Sequence, residues 1–166
     1  MIILLFVALV AGCSKYPFDT ESQFKGDDYS LAYPPEWVVQ DNGIFVYFKT
    51  PLEDDSDKLQ ENVVVYTTPL ESKDQDLTSF FQQSVQALID TTKGFTLIAH
   101  EETTLSSEPA QKIVYTEDSE FGKIKYLQVF TIKDGNVYIL TYTAPVETYD
   151  DHVAEAEQAI SSFKIK

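Results

Sequence analysis

The chain has 166 residues, of which 43% are hydrophobic, so it is long and apolar enough for one folded domain and is not a disordered protein. Its 27 acidic residues outnumber its 12 lysines, no arginine occurs, and the formal net charge is -15. Phosphate groups would repel such a chain, so we expect no nucleic-acid partner, and any attachment to an anionic membrane has to be hydrophobic or covalent.

The chain opens on an apolar segment, residues 2–11, which is too short to span a bilayer but has the length of the apolar region of a secretory signal peptide. The next residues complete the stretch Val10-Ala11-Gly12-Cys13, which resembles the bacterial lipobox, whose cysteine is diacylated and becomes the mature N-terminus. We therefore expect residues 1–12 to be a signal peptide and Cys13 to carry the lipid anchor. The alternative is a buried N-terminal strand with an incidental cysteine.

A polar segment follows the cysteine. Residues 14–28 contain Pro17 and Gly26 and show no sustained hydrophobic period. We interpret residues 13–28 as the lipidated cysteine and a tether, and residues 29–166 as the folded domain.

The first half of the domain is typical of short strands. The sequence predicts strands at residues 29–33, 37–39, 43–49 and 62–68, with a turn signal at Asp41-Asn42-Gly43. Residues 51–60 form an acidic loop between the last two of these strands.

A helix is predicted next, over residues 76–90. Asp76 is a plausible N-cap, and Gly94 fits the C-terminal stop. The apolar stripe that would pack on a sheet consists of Leu77, Phe80, Phe81, Val85, Leu88 and Ile89.

The second half predicts a run of strands and a final helix. Strands are expected at residues 95–105, 110–118, 124–133 and 137–143, with a turn at residues 117–122 and a hairpin signal at Asp134-Gly135. The helix spans about residues 148–163, with the stripe Tyr149, Val153, Ala156, Ile160 and Phe163. The order of elements predicts an α+β fold, a mostly antiparallel sheet with helices packed on it.

Several motifs along this order of elements resemble those of the PsbP-like family. They are Tyr29-x-Leu31-x-Tyr33-Pro34-x-x-Trp37, Asn62-Val63-Val64-Val65, Glu108-Pro109-Ala110-x-x-Ile113-x-Tyr115, Asp134-Gly135-x-Val137-Tyr138-x-Leu140-Thr141-Tyr142-x-Ala144 and Ile160-Ser161-Ser162-Phe163-Lys164. The resemblance covers about residues 22–166, and its motifs lie at turn and packing positions.

The resemblance implies an antiparallel central sheet sandwiched by helices. The best-known members of the family are extrinsic subunits on the lumenal face of photosystem II, which help to retain calcium and chloride, and relatives in other bacteria are envelope lipoproteins. The plant subunits dock through a basic N-terminal extension and lysine-rich faces, whereas this domain is strongly acidic.

The acidic loop offers a candidate calcium site. Glu53, Asp54, Asp55 and Asp57 provide oxygen atoms that suit Ca²⁺, although the loop lacks the glycine and the distant glutamate of an EF-hand. The alternative is a solvated loop. His100 and His152 are too few for a zinc site without a third ligand, and we interpret both as surface residues.

Motifs for catalysis are absent from the sequence. No G-x-S-x-G, Walker or dinucleotide motif occurs, and the two S-x-x-K matches, which begin at Ser22 and Ser161, lack companion motifs. We therefore do not expect an enzyme.

Binding is the remaining class of function. Partly exposed aromatic rings are common at interfaces, although such residues in strands more often pack at the edge of a core. The candidate rings are Tyr33, Trp37, Tyr47, Tyr66, Tyr115, Tyr126, Tyr138, Tyr142 and Tyr149. We expect a monomeric, extracytoplasmic domain, lipid-anchored to the cell membrane or outer membrane, that binds or stabilises an envelope protein or complex. The alternative is a photosystem II-like accessory subunit that binds or retains calcium.

Overall fold

The protein is described by a computed structural model that covers residues 22–52, 59–72 and 75–166. The strands in these ranges are β1 (Gln23–Lys25), β2 (Tyr29–Ala32), β3 (Val38–Asp41), β4 (Phe45–Lys49), β5 (Asn62–Pro69), β6 (Thr96–Leu105), β7 (Glu108–Ser119), β8 (Gly122–Lys133), β9 (Asn136–Pro145) and β10 (Lys164–Ile165). The helices are α1 (Leu77–Thr91) and α2 (Tyr149–Ser161).

These strands form two sheets. The large sheet has the order β3-β4-β5-β9-β8-β7-β6, and the small sheet has the order β1-β2-β10. Every pair of neighbouring strands in these two sheets is antiparallel. The predicted α+β fold with an antiparallel central sheet is confirmed, while the separate small sheet is a feature that the sequence did not predict.

One face of the large sheet is covered by α2 and the small sheet, and the main core lies in this layer. Side chains alternate along a strand, so Val63 and Val65 of β5 point to this face together with Leu140 of β9. All three are buried, and Ala156 and Ile160 of α2 are buried in the same cluster.

The opposite face is covered in part by α1, which contacts β7 and β8. Five of the six residues of its predicted stripe pack against a second cluster formed by Ile113, Tyr115 and Phe130. The sixth, Ile89, is 51% exposed, so its place in the stripe was wrong. No residue of α1 is fully buried, which makes this helix more dependent than α2 on its caps.

The predicted helix cap and hairpin turn are both confirmed. Oδ1 of Asp76 accepts a hydrogen bond from the backbone N–H of Ser79 at 2.7 Å, as an N-cap does. Asp134 and Gly135 have φ values of 51° and 76°, the pair of positive values that a type I′ hairpin turn requires.

The two ends of the domain differ from the prediction. The strand β1 lies inside the segment 13–28 that we interpreted as tether, and it pairs with β2, so Gln23–Lys25 belong to the folded domain although they precede Tyr29. At the other end, α2 stops at Ser161 and β10 pairs with β2. Strands of two or three residues are too short to show a hydrophobic period, which explains both differences.

The turn between β7 and β8 is also shorter than predicted. The two strands pair as far as Ser119 and Gly122, which leaves two residues in the turn where the sequence suggested residues 117–122. Among the described residues no helix is both long enough and apolar enough to span a bilayer.

Candidate binding site

An open cleft of about 570 Å³ lies where the small sheet meets one end of the large sheet. One wall is the loop Gly26–Asp28 between β1 and β2 with the adjoining Phe24 and Tyr29, and another is the turn between β3 and β4. The last residues of β5 and the first residue of β9 close the end of the cleft. We call this space the acidic cleft.

Three carboxylates line the acidic cleft and no lysine does. Asp27 and Asp28 come from the β1–β2 loop, and Asp41 ends β3. Within the described ranges none of the three forms an ion pair. The ion pairs found there join other residues, such as Lys112 and Glu157 at 2.8 Å. The cleft is therefore a local concentration of negative charge in a chain that is already acidic.

Hydrogen bonds hold the two turns that carry these carboxylates. Oδ1 of Asp41 accepts a hydrogen bond from the backbone N–H of Gly43 at 2.8 Å, and Gly43 has a φ of 83°, which a residue with a side chain rarely adopts. The β1–β2 loop is closed by the N–H of Gly26, which donates to the carbonyl of Tyr29 at 3.0 Å. Lys166 also binds this loop, because its ammonium donates to the carbonyl of Gly26, a residue that lines the cleft.

The pKa of the Tyr29 hydroxyl reflects the negative charge around the cleft. Its ring is 9% exposed and packs against Phe24 and Phe163, with ring centroids 5.7 and 5.1 Å away. Burial raises the pKa of its hydroxyl, and the carboxylates of Asp41 and Asp28 raise that pKa further. Two loops that are distant in sequence thus place negative charge around one phenol.

Part of the inner surface of the acidic cleft is apolar. Phe24, Val46 and Val65 line it beside Tyr29, and all four belong to the main core or pack against it. Thr67 lines it too, and its Oγ1 is buried without a hydrogen-bond partner within the described part of the chain. The site combines a charged rim, an apolar floor and one unused hydroxyl.

The two kinds of site residue predicted from the sequence lie outside the described residues. These are the lipidation candidate Cys13 and the calcium candidates Glu53, Asp54, Asp55 and Asp57. Both expectations therefore remain predictions. In the described ranges no group of three or more His, Cys, Asp or Glu side chains is arranged to hold a metal ion.

The two histidines do not meet. His100 projects from β6 toward α1, where its ring stacks on Phe81 at 4.4 Å and its Nε2 lies 2.7 Å from Oε1 of Gln111. His152 is on α2, over the opposite face of the large sheet, and its Nδ1 lies 3.1 Å from Oε2 of Glu155.

The structure divides the nine aromatic candidates into two groups. Five are buried, namely Trp37, Tyr115, Tyr138, Tyr142 and Tyr149. The other four, Tyr33, Tyr47, Tyr66 and Tyr126, are half-buried. Of these, Tyr66 lines the acidic cleft, and its ring stacks on Phe45 at 5.0 Å.

The residues of the acidic cleft were not recognised as a site from the sequence. Asp27 and Asp28 were assigned to the tether, and Asp41 was read only as part of a turn signal. The strand Gln23–Lys25 that precedes Asp27 and Asp28 has three residues, too few for a hydrophobic period to predict it.

Comparisons with solved structures identify similar folds. The protein PA94 from Pseudomonas aeruginosa, of unknown function, is 18% identical, and the match covers 84% of this chain and 93% of that one with a TM-score of 0.64. CyanoP, the PsbP of Synechocystis sp. PCC 6803, is also 18% identical, with 87% and 91% covered and a TM-score of 0.64. LpqN of Mycobacterium tuberculosis, described as involved in cell envelope biogenesis, is 15% identical, with 83% of both chains covered and a TM-score of 0.61.

These likenesses show the fold, and the match to CyanoP confirms the predicted PsbP-like architecture. No curated protein sequence matches the chain. The sequence profile of the DcrB family matches residues 30–162, which is most of the domain. The chain belongs to the DcrB family.

Proposed function

We propose that this protein is a non-catalytic domain of the bacterial cell envelope, held at a membrane through Cys13, that binds another envelope protein. The observation that carries the binding role is the acidic cleft. Its volume of about 570 Å³ falls within the range of about 300 to 1,000 Å³ that is common for binding sites. Its apolar floor and charged rim provide both contact area and orientation.

The location in the envelope is supported by two observations. The stretch that ends at Cys13 resembles a lipobox. LpqN, which shares the fold, is described as involved in cell envelope biogenesis. Because an acylated cysteine with two long chains binds a bilayer almost irreversibly, the domain would stay at the surface where its partner lies.

The non-catalytic character is supported by the surroundings of the carboxylates. Acid–base or nucleophilic catalysis requires a carboxylate within hydrogen-bond reach of a histidine, a nucleophile or a second carboxylate held at a fixed distance. In the described part of the chain, the hydrogen bond accepted by the side chain of Asp41 comes from its own turn, and Asp27 and Asp28 are exposed. These groups suit the attraction of a positive charge better than the transfer of a proton.

Photocrosslinking in intact cells tests this function. A photoreactive phenylalanine analogue replaces Ile44, which lines the acidic cleft and is 66% exposed. The matched control replaces Phe121, which is 50% exposed in the β7–β8 turn at the other end of the large sheet. We expect one discrete product at position 44, identified by mass spectrometry as an envelope protein, and no such product at position 121.

Two results would contradict the proposal. One is the absence of any product at position 44 in cells where the variant is present at its normal level. The other is an identical set of abundant proteins at both positions, which would mean that the probe reports collisions rather than a binding site.

A further inference from the structure

We propose that the acidic cleft binds a segment of a partner protein that carries lysine or arginine side chains. This inference rests on the proposed function and names the chemistry of the partner. Asp27 and Asp28 enter from one loop and Asp41 from another, so negative charge faces the cleft from two directions. A segment with two basic residues can place one positive charge beside the carboxylates of each loop.

The charge of the whole chain favours the same partner. A net charge of -15 attracts cationic segments over distance, and the cleft concentrates that attraction locally because no lysine lines it. The same charge disfavours two other occupants. A second copy of this chain would bring its own excess of carboxylates, and an anionic lipid surface would be repelled.

The floor of the cleft favours a peptide over a small cation. Lysine and arginine carry long apolar stems that can lie along Phe24 and the exposed Ile44 while the charged group stays at the rim. The buried Oγ1 of Thr67 lacks a partner in the described structure, and a backbone group of a bound segment can supply one. A metal ion or a polyamine would use the carboxylates but not the floor.

A binding assay with the full chain in a nonionic detergent tests the inference. The probe is a fluorescein-labelled octapeptide that alternates lysine with alanine, measured by anisotropy at low and at physiological salt. The test variant carries Asp28→Asn and Asp41→Asn, the two carboxylates that act on Tyr29. An asparagine at position 41 can keep the hydrogen bond from Gly43, so the turn is preserved.

The control variant removes the same number of charges elsewhere. Glu120→Gln and Glu147→Gln are exposed positions beside the β7–β8 turn and the end of β9, away from the cleft. We expect the test variant to bind the peptide about ten-fold more weakly than the unmodified protein, and the control variant less than about three-fold more weakly. Both variants should unfold at the same urea concentration as the unmodified protein.

Three results would overturn the inference. The first is that the peptide does not bind the unmodified protein. The second is that the test and control variants lose affinity for the peptide equally, which would indicate general attraction to an acidic chain. The third is displacement of the peptide by spermine at an equal concentration of positive charge, which would indicate a site for small cations. An Ile44 crosslink that persists in the Asp28→Asn, Asp41→Asn variant would leave the proposed function standing while rejecting a basic segment as the ligand.

Discussion

The carboxylate of Glu61 accepts a hydrogen bond through Oε1 from the hydroxyl of Thr148, 87 residues further along the chain. Glu61 is only 4% exposed, and its Oε2 accepts from the hydroxyl of Thr50 at 3.2 Å. Thr148 is the residue that precedes α2, so the residue before β5 fixes the start of the last helix. A buried acid in this fold therefore links the large sheet to the helix that covers it.

We predict that Glu61→Ala lowers the free energy of unfolding by about 2 kcal/mol, because the half-buried hydroxyl of Thr148 loses this acceptor and the buried hydroxyl of Thr50 loses one of its two acceptors. Glu61→Gln retains an acceptor oxygen and should cost less than about 1 kcal/mol. Urea denaturation of both variants measures the difference. Equal stability of the Ala and Gln variants would show that the hydrogen bonds contribute nothing.

We predict that Asp76→Ala lowers the urea midpoint at neutral pH, because α1 has no fully buried residue and needs its N-cap. Hydrogen bonds from the backbone and hydroxyl of Ser79 lower the pKa of Asp76 in the folded state. A lowered pKa stabilises the fold above the unfolded-state pKa, and this contribution is lost as the pH falls through the folded-state value.

Asp76→Asn is the matched control, since asparagine also caps helices but does not titrate. Between neutral pH and about pH 3, the urea midpoint of the unmodified protein should fall further than that of the Asn variant. A parallel fall in both proteins would mean that other carboxylates account for the acid sensitivity.

We predict opposite outcomes for two neighbouring residues of α1. Leu88 packs against the cluster of Ile113, Tyr115 and Phe130, so Leu88→Ala should reduce stability by about 2 kcal/mol. Ile89 is 51% exposed, and Ile89→Ala should change stability by no more than about 0.5 kcal/mol. Thermal or urea unfolding measures the stability of both variants. A larger loss of stability for the variant at position 89 would mean that α1 packs on the sheet through a different face.

We predict that Cys13→Ser moves the protein out of the membrane fraction or leaves an unprocessed precursor, because serine has no thiol that could form a thioether to the diacylglyceryl group. Fractionation with immunoblotting measures the distribution, and intact-mass spectrometry of the unmodified protein should show the added lipid. A Ser variant that stays in the membrane fraction at the mature size would refute the anchor.

Much of the fold was accessible from local sequence patterns. The alternation in residues 62–68 predicted β5, and Asp134-Gly135 predicted the hairpin that joins β8 to β9. The apolar stripe beginning at Leu77 predicted α1 because helical periodicity persists over 15 residues. Such features depend on neighbours within a few positions, so a single chain displays them without its tertiary structure.

The candidate site was not accessible in this way. Asp28 and Asp41 are 13 positions apart in different loops, and neither carries a motif that marks a binding site. They line the same cleft because β1, β2 and β10 form a second sheet that packs against the large one. Pairings of strands this short are decided by the packing around them, which local propensity does not encode.

The sequence by itself determined the class of fold and the order of the main helices and strands. It also determined the acidic character and the resemblance to a lipobox at Cys13. Periodicity, charge and short motifs are local properties, so they can be read without the tertiary structure. The tertiary structure decided that Gln23–Lys25 are part of the domain and that α2 and the small sheet share one face of the large sheet. It also decided that three unremarkable aspartates line one cleft. The physical reason is that burial and charge proximity depend on which distant strands pair, and only the folded chain fixes those contacts.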